Sequence, residues 1–278
     1  MSCMLSKLYN RDIDPMTQKQ EELSETEEQI KTMYEENLPL AKEGNLEALF
    51  QIAEAYRKYA SYYDDDTVGN EAVVLYQNLA DQGHGSALCQ LGHFYDDGEY
   101  FERDKEKAAE FFRKAANVNC AEGYYFLGSC FANGDGVSQD DEKSFKAYLR
   151  SAELEDAGGM AKTGILYYEG KGVKQDYNQA YFWLQKAYLN SEDWGLYYLG
   201  VCYLNGLGTT MNEKKGFQLL ERANEQFCYK QDEARKLLIS CYEKGIGTEK
   251  SWENGQKIRE KIENEQKKWD QIISAFIP

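Results

Sequence analysis

The chain has 278 residues, with 32 Lys and Arg against 48 Asp and Glu, a formal net charge of -16, and only 2 His and 3 Pro. Hydrophobic residues at 42% and aromatics at 14% suffice for a substantial core, which excludes a disordered chain. The acidic surplus opposes phosphate backbones and anionic bilayers, so nucleic acid and membrane surfaces are not expected as partners and basic proteins are.

Met1 to Asn10 carries Lys7 but no apolar run of the roughly 7–15 residues that a secretory leader needs. No stretch approaches the roughly 18 consecutive apolar residues of a membrane-spanning helix. The expectation is a soluble, cytoplasmic protein. Seven Cys without CxxC spacing fit a reducing compartment better than a disulfide framework. Thr17 to Asn37 is rich in Glu and Gln, with Leu23, Ile30 and Tyr34 at helical spacing, so residues 1–44 are read as an acidic helical cap. Ala60 to Asn70, with Asp64-Asp65-Asp66, reads as a loop carrying a solvated charge run.

From Asn45 onward the chain repeats itself, which marks a stacked array. Leu91-Gly92, Leu127-Gly128, Thr163-Gly164 and Leu199-Gly200 recur every 36 residues, each followed three positions on by Tyr95, Phe131, Tyr167 or Tyr203. Degenerate copies at Ile52-Ala53 and Leu238-Ile239 lie 39 residues outside the first and last of these. Gly98, Gly134, Gly170, Gly206 and Gly245 follow the anchors as helix stops. Asp104, Asp140, Asp176 and Asn212 then open second helices, as side chains that accept from first-turn amides. Each unit is thus helix A, a glycine loop and helix B. Gly255 to Pro278 carries Ile258, Ile262, Trp269, Ile272, Ile273 and Phe276, the stripe of a closing amphipathic helix over the last repeat.

These residues resemble the Sel1-like repeat proteins, relatives of the tetratricopeptide repeat. The resemblance is carried by Leu127-Gly128, Phe131, Gly134-Asp135-Gly136-Val137 and Asp140, and by Gly164, Tyr167, Gly170-Lys171-Gly172-Val173, Asp176, Ala180, Trp183 and Lys186-Ala187 in the next copy. It implies an all-α, right-handed solenoid of about six helix-turn-helix repeats over residues 45–259, a closing helix over 260–278, and a non-enzymatic protein-binding role. Some members with a cysteine pair in every repeat are secreted, disulfide-linked and associated with penicillin binding. The cysteines here do not recur in pairs, so neither property is expected.

No Walker, HExxH or paired CxxC sequence is present, and the GxG pairs lack a preceding strand, so no catalytic, cofactor or metal residue is assigned. His84 reads as a loop histidine. Cys130, Cys202 and Cys241 share an interior register, whereas Cys89 and Cys120 lie elsewhere and are expected to be more exposed. Helix A positions three before and one after the anchor are expected to face a groove. With neighbours one turn away, the partner-binding candidates are His93, Tyr125, Ile165, Tyr168, Trp194, Tyr197, Val201 and Leu204; a rotation misjudged by one residue would make this stripe core. Aromatic contact area inside an acidic rim suits a basic protein. The leading expectation is an inhibitor, such as an immunity protein against a basic toxin or enzyme. The alternative is an adaptor in a signalling or assembly complex, and a hydrolase is a remote third.

Overall fold

The computed structural model describes residues 25–226 and 228–276; Met1 to Asn10, the start of the acidic segment and Leu23 lie outside them. Among the described residues all regular elements are α-helices, α1 (Glu25–Lys42), α2 (Leu46–Tyr63), α3 (Asp66–Asp81), α4 (Gly85–Asp97), α5 (Lys105–Asn117) and α6 (Ala121–Asn133) in a first unit, Met1–Gln139. The second unit, Asp140–Pro278, holds α7 (Asp141–Glu153), α8 (Ala157–Glu169), α9 (Tyr177–Leu189), α10 (Leu196–Asn205), α11 (Glu213–Glu225), α12 (Gln231–Lys244) and α13 (Trp252–Phe276).

In each unit consecutive helices pack on one another, α1 on α2, α2 on α3 and α4 on α5 in the first, α8 on α9 and α10 on α11 in the second. This is the helix-pair repeat expected from the 36-residue period. Ile30 and Tyr34, one turn apart, seat the acidic α1 on α2. Both are buried, and Tyr34 stacks on Tyr56 of α2 at 5.9 Å.

The repeat's punctuation is realised residue by residue. Asp104, Asp140 and Asn212 accept hydrogen bonds from the amides of Lys107, Lys143 and Lys215 at 2.9, 2.9 and 3.0 Å, and Asp176 accepts from Asn178 and Gln179. Gly98, Gly134, Gly170, Gly206 and Gly245 end the preceding helices in the left-handed region, with φ between +66° and +80°. The second glycine of each loop has a different cause. A Cβ on Gly136, Gly172, Gly208 or Gly247 would overlap the carbonyl oxygen of Lys105, Asp141, Tyr177 or Glu213, the first residues of α5, α7, α9 and α11. Each loop therefore rests on the start of the helix B one repeat earlier, and only glycine lets the backbones meet. In the loop after α4 the equivalent residue is Tyr100, whose ring instead covers Gly69, 2.8 Å from where a Cβ would stand.

Two boundaries differ from expectation. Ala60 to Asn70 is not a long loop: α2 runs to Tyr63, Asp64 takes φ +54°, and Asp65 accepts from the amides of Thr67 and Val68 to start α3. The acidic run is helix-capping chemistry. The closing helix starts at Trp252 rather than at residue 260. Its Ile258 packs against the second unit's core and Glu265 pairs with Arg235 at 2.7 Å, whereas Trp269 and Ile272 are exposed. The side chains of Ile273 and Phe276 lie outside the described residues.

Thr163 stands where other copies have Leu, is fully buried, and its hydroxyl has no hydrogen-bond partner. Removing an unsatisfied buried hydroxyl at constant shape is favourable, so Thr163→Val should raise unfolding free energy by about 1 kcal/mol in denaturant titration.

Candidate functional site

The second unit gathers an aromatic cluster from three places in the chain. Helix α8 supplies Lys162, Tyr168 and Glu169; the turn before α10 supplies Trp194, and α10 itself Tyr197 and Tyr198; the connection from α11 to α12 supplies Tyr229 and Lys230. The turn is held by Arg222 of α11, which pairs with Asp193 at 2.8 Å, and by Glu192, whose carboxylate accepts the Trp194 amide at 2.8 Å. The connection is held by the Tyr229 amide, which donates to the Trp194 carbonyl at 3.0 Å.

Trp194 stacks on Tyr229 with ring centroids 5.8 Å apart, and Tyr229 on Tyr198 at 6.2 Å. Tyr168 and Tyr197 meet Tyr198 edge-on at 4.8 and 5.1 Å. The Lys162 ammonium lies 4.8 Å from the Trp194 ring centre and 5.7 Å from that of Tyr229. Lys230 lies 5.5 Å from the Tyr229 ring and pairs with Glu233 at 3.2 Å. Burial lowers the Lys162 pKa, partly opposed by the Glu192 and Glu169 carboxylates. Burial also pushes the Tyr168 hydroxyl up to about 12, and raises that of Tyr198, which donates to Glu169. The arrangement offers ring faces that hold ammonium groups, edged by carboxylates.

Of the residues expected to bind, Tyr168, Trp194 and Tyr197 come together here, each half-buried. Ile165, Val201 and Leu204 do not offer a surface: they are buried, with 4%, 8% and 8% exposure. For Val201 and Leu204 the correction follows from α10, which is buried almost all round, from Leu196 and from Tyr198 through Leu204, and Ile165 of α8 packs into the same core cluster. A helix apolar on every side has no free face. Tyr229 and Lys162 had no signal in the period. Tyr229 falls in the 39-residue spacing before the last copy, where residues beyond the usual 36 reach back to Trp194.

His93 and Tyr125 belong to the first unit. His93 is half-buried between Phe112 and Phe126, at centroid distances of 5.2 and 4.3 Å, and Tyr125 meets Phe126 edge-on at 5.3 Å. His93 borders a cavity of about 190 Å³ with Asp96, Lys105, Ser129 and Asp135. Burial lowers the His93 pKa from 6.5. The unfolded chain therefore takes up this proton first, and stability falls as pH drops below 6.5 towards the folded value. His93→Leu should remove that part of the acid loss, read as a flatter dependence of melting temperature on pH below 6.5.

His84 is the N-cap of α4, its ring accepting from the Ala87 amide at 3.3 Å and stacking on Phe50 at 5.0 Å. Cys130, Cys202 and Cys241 are interior as expected, and burial pushes the first two up to about 11 and about 12. Cys89, expected to be more exposed, is buried. Its thiol hydrogen-bonds Cys120, and that contact, with the amides of Gly123 and Glu122, brings the Cys120 thiol down to about 6.

A family model described as Sel1 repeat matches residues 47–84, 85–119, 121–156, 157–191 and 195–226. Among solved structures, a protective antigen of uropathogenic Escherichia coli strains displaying an SLR fold superposes with a TM-score of 0.66 at 26% identity, covering 81% of this chain. The chain spans 47% of that antigen's length. A Sel1 repeat protein from Oxalobacter formigenes superposes with a TM-score of 0.59 at 25% identity, covering 68% of this chain and 76% of its own. No curated protein matches the chain in sequence. No helix among the described residues is long and apolar enough to cross a membrane.

Proposed function

The chain belongs to the Sel1 repeat family, whose repeats are generally non-catalytic protein-interaction scaffolds, and from that premise we propose that it binds a basic protein and neutralises it. The observation that carries this reading is the aromatic run Tyr168–Tyr198–Tyr229–Trp194 edged by Glu169, Glu192 and Glu233. Two of its rings already hold ammonium groups of the chain itself, Lys162 and Lys230. An incoming Lys or Arg would use the same chemistry on the half-buried face of Tyr197. The net charge of -16 would steer a cationic partner to it and repel acidic competitors. Occlusion of a basic toxin or enzyme, as an immunity protein does, needs no chemistry beyond this contact.

The test is affinity capture from native cells with the whole chain as bait, washed at low and then at high salt, followed by titration calorimetry with the captured protein. The expected result is one dominant basic partner in a one-to-one complex. High salt should weaken it, and Tyr197→Ala should weaken it at least tenfold, about the loss of one modest hot spot. An acidic or apolar partner overturns the reading. The adaptor alternative draws on exposed Phe182, Leu189 and Met211 in the second unit. It expects several partners that high salt leaves in place.

A further inference from the structure

We propose that Cys89, Cys120 and Glu122 form a site for one zinc ion between two consecutive repeats of the first unit. Cys89 lies in α4, Cys120 is the residue before α6, and Glu122 is in the first turn of α6. Their two sulfurs and a carboxylate oxygen all lie within 4.8 Å of one another. Tetrahedral zinc, with bonds of about 2.3 Å to sulfur and about 2.0–2.2 Å to oxygen, sets its ligand atoms about 3.5–3.8 Å apart. Small side-chain rotations separate the two arrangements.

The repeat register shows that both cysteines depart from pattern at positions that meet. The residue before each helix A is His84, Cys120 and Asp156 in successive copies. His84 and Asp156 accept a backbone amide there, from Ala87 and Gly159, and Cys120 puts a thiol at that position, against the equivalent amide of Gly123. The Cys89 position holds Tyr125, Ala161 and Tyr197 in the following copies. Room for the sulfur comes from Gly85, where a Cβ would stand 2.5 Å from the Cys120 Cβ and 2.9 Å from its Sγ. Cys89 is buried, while Cys120 and Glu122 are half-buried, which leaves an approach for the ion and a fourth position for water.

On binding, Cys89 releases its thiol proton to solvent, as does any Cys120 still protonated, and two Zn–S bonds form, while Glu122 and a water donate oxygen lone pairs. No electron is transferred. Two thiolates select zinc over magnesium or calcium, which prefer oxygen. The ion would tie α4 to α6 and stabilise the folded chain through linkage.

The test uses the whole chain, reduced, stripped with chelator and titrated with cobalt(II) and then zinc(II). The expected result is one cobalt per chain with thiolate-to-metal charge-transfer absorption, displacement by zinc, and a higher melting temperature with zinc present. Cys89→Ala and Cys120→Ser should each abolish the absorption; serine is itself a good N-cap, so the second variant keeps its fold. Glu122→Gln should weaken binding by at least about tenfold, the smallest loss typical of removing even an outer-shell partner. Cys3→Ser should leave binding unchanged. Absence of the thiolate absorption in reduced protein overturns the proposal, as does its survival in Cys120→Ser. A Cys89–Cys120 disulfide formed in air, with no cobalt uptake after reduction, would assign the pair to thiol–disulfide exchange instead.

Discussion

Gly172→Ala should destabilise the second unit by about 4 kcal/mol, lowering its melting temperature by about 10 °C. Two costs add. At φ +69° an alanine is held in the left-handed region, which costs about 1–2 kcal/mol. Its Cβ would also overlap the Asp141 carbonyl oxygen, which belongs to the first residue of α7. Relief requires the loop to lift off the start of α7, so the packing of one repeat on the next is lost rather than one contact. Gly170→Ala is the control. It has nearly the same φ, +68°, but its Cβ would meet only Gln175, at 3.1 Å from the side chain and 3.4 Å from the amide. It should cost about 1–2 kcal/mol, the backbone term alone. Equal losses for the two variants, in calorimetry or denaturant titration, would refute the role of the second glycine as the contact between repeats.

Trp194→Ala should cost about 3 kcal/mol, the lower part of the range for truncating a Trp in a core. From sequence, Trp194 and Tyr197 both read as partner-binding candidates on one groove. The structure separates them. Trp194 stacks on Tyr229, lies under Lys162 and packs against two hydrophobic clusters, so it builds the turn that presents the site. Tyr197 packs against one of those clusters and meets Tyr198 edge-on, with no stacked ring or ammonium on its face among the described residues, and Tyr197→Ala should cost less, about 1 kcal/mol. Lys162→Met with Trp194→Ala closes a double-mutant cycle, in which a coupling of about 0.5–2 kcal/mol would measure the cation–ring contact. A Trp194→Ala protein as stable as the parent would return Trp194 to the surface and restore the sequence reading.

Much of the fold was legible because its causes are local. The N-cap aspartates and the left-handed glycines each act within one turn of helix, and each stood where the 36-residue period put it. The interior register of Cys130, Cys202 and Cys241 was legible for a related reason, since equivalent positions in stacked repeats share one environment. The site was legible only in part. Tyr168 and Tyr197, expected from register to face a groove, are half-buried in the aromatic cluster, whereas Ile165, Val201 and Leu204 are buried, because period specifies helix phase and not how many sides of a helix are covered.

By itself the sequence determined the helix pairs, the repeating caps that bound them, their order and a net acidic charge, all consequences of backbone conformation and composition that neighbours in the chain decide. Only the tertiary structure decided three further things: that the second glycines are contacts between repeats, that Tyr229 and Lys162 complete an aromatic cluster around Trp194, and that Cys89 and Cys120 face one another. Each of these joins residues roughly a full repeat apart. Such contacts depend on how one helix pair seats on the next, a packing outcome that no local propensity encodes.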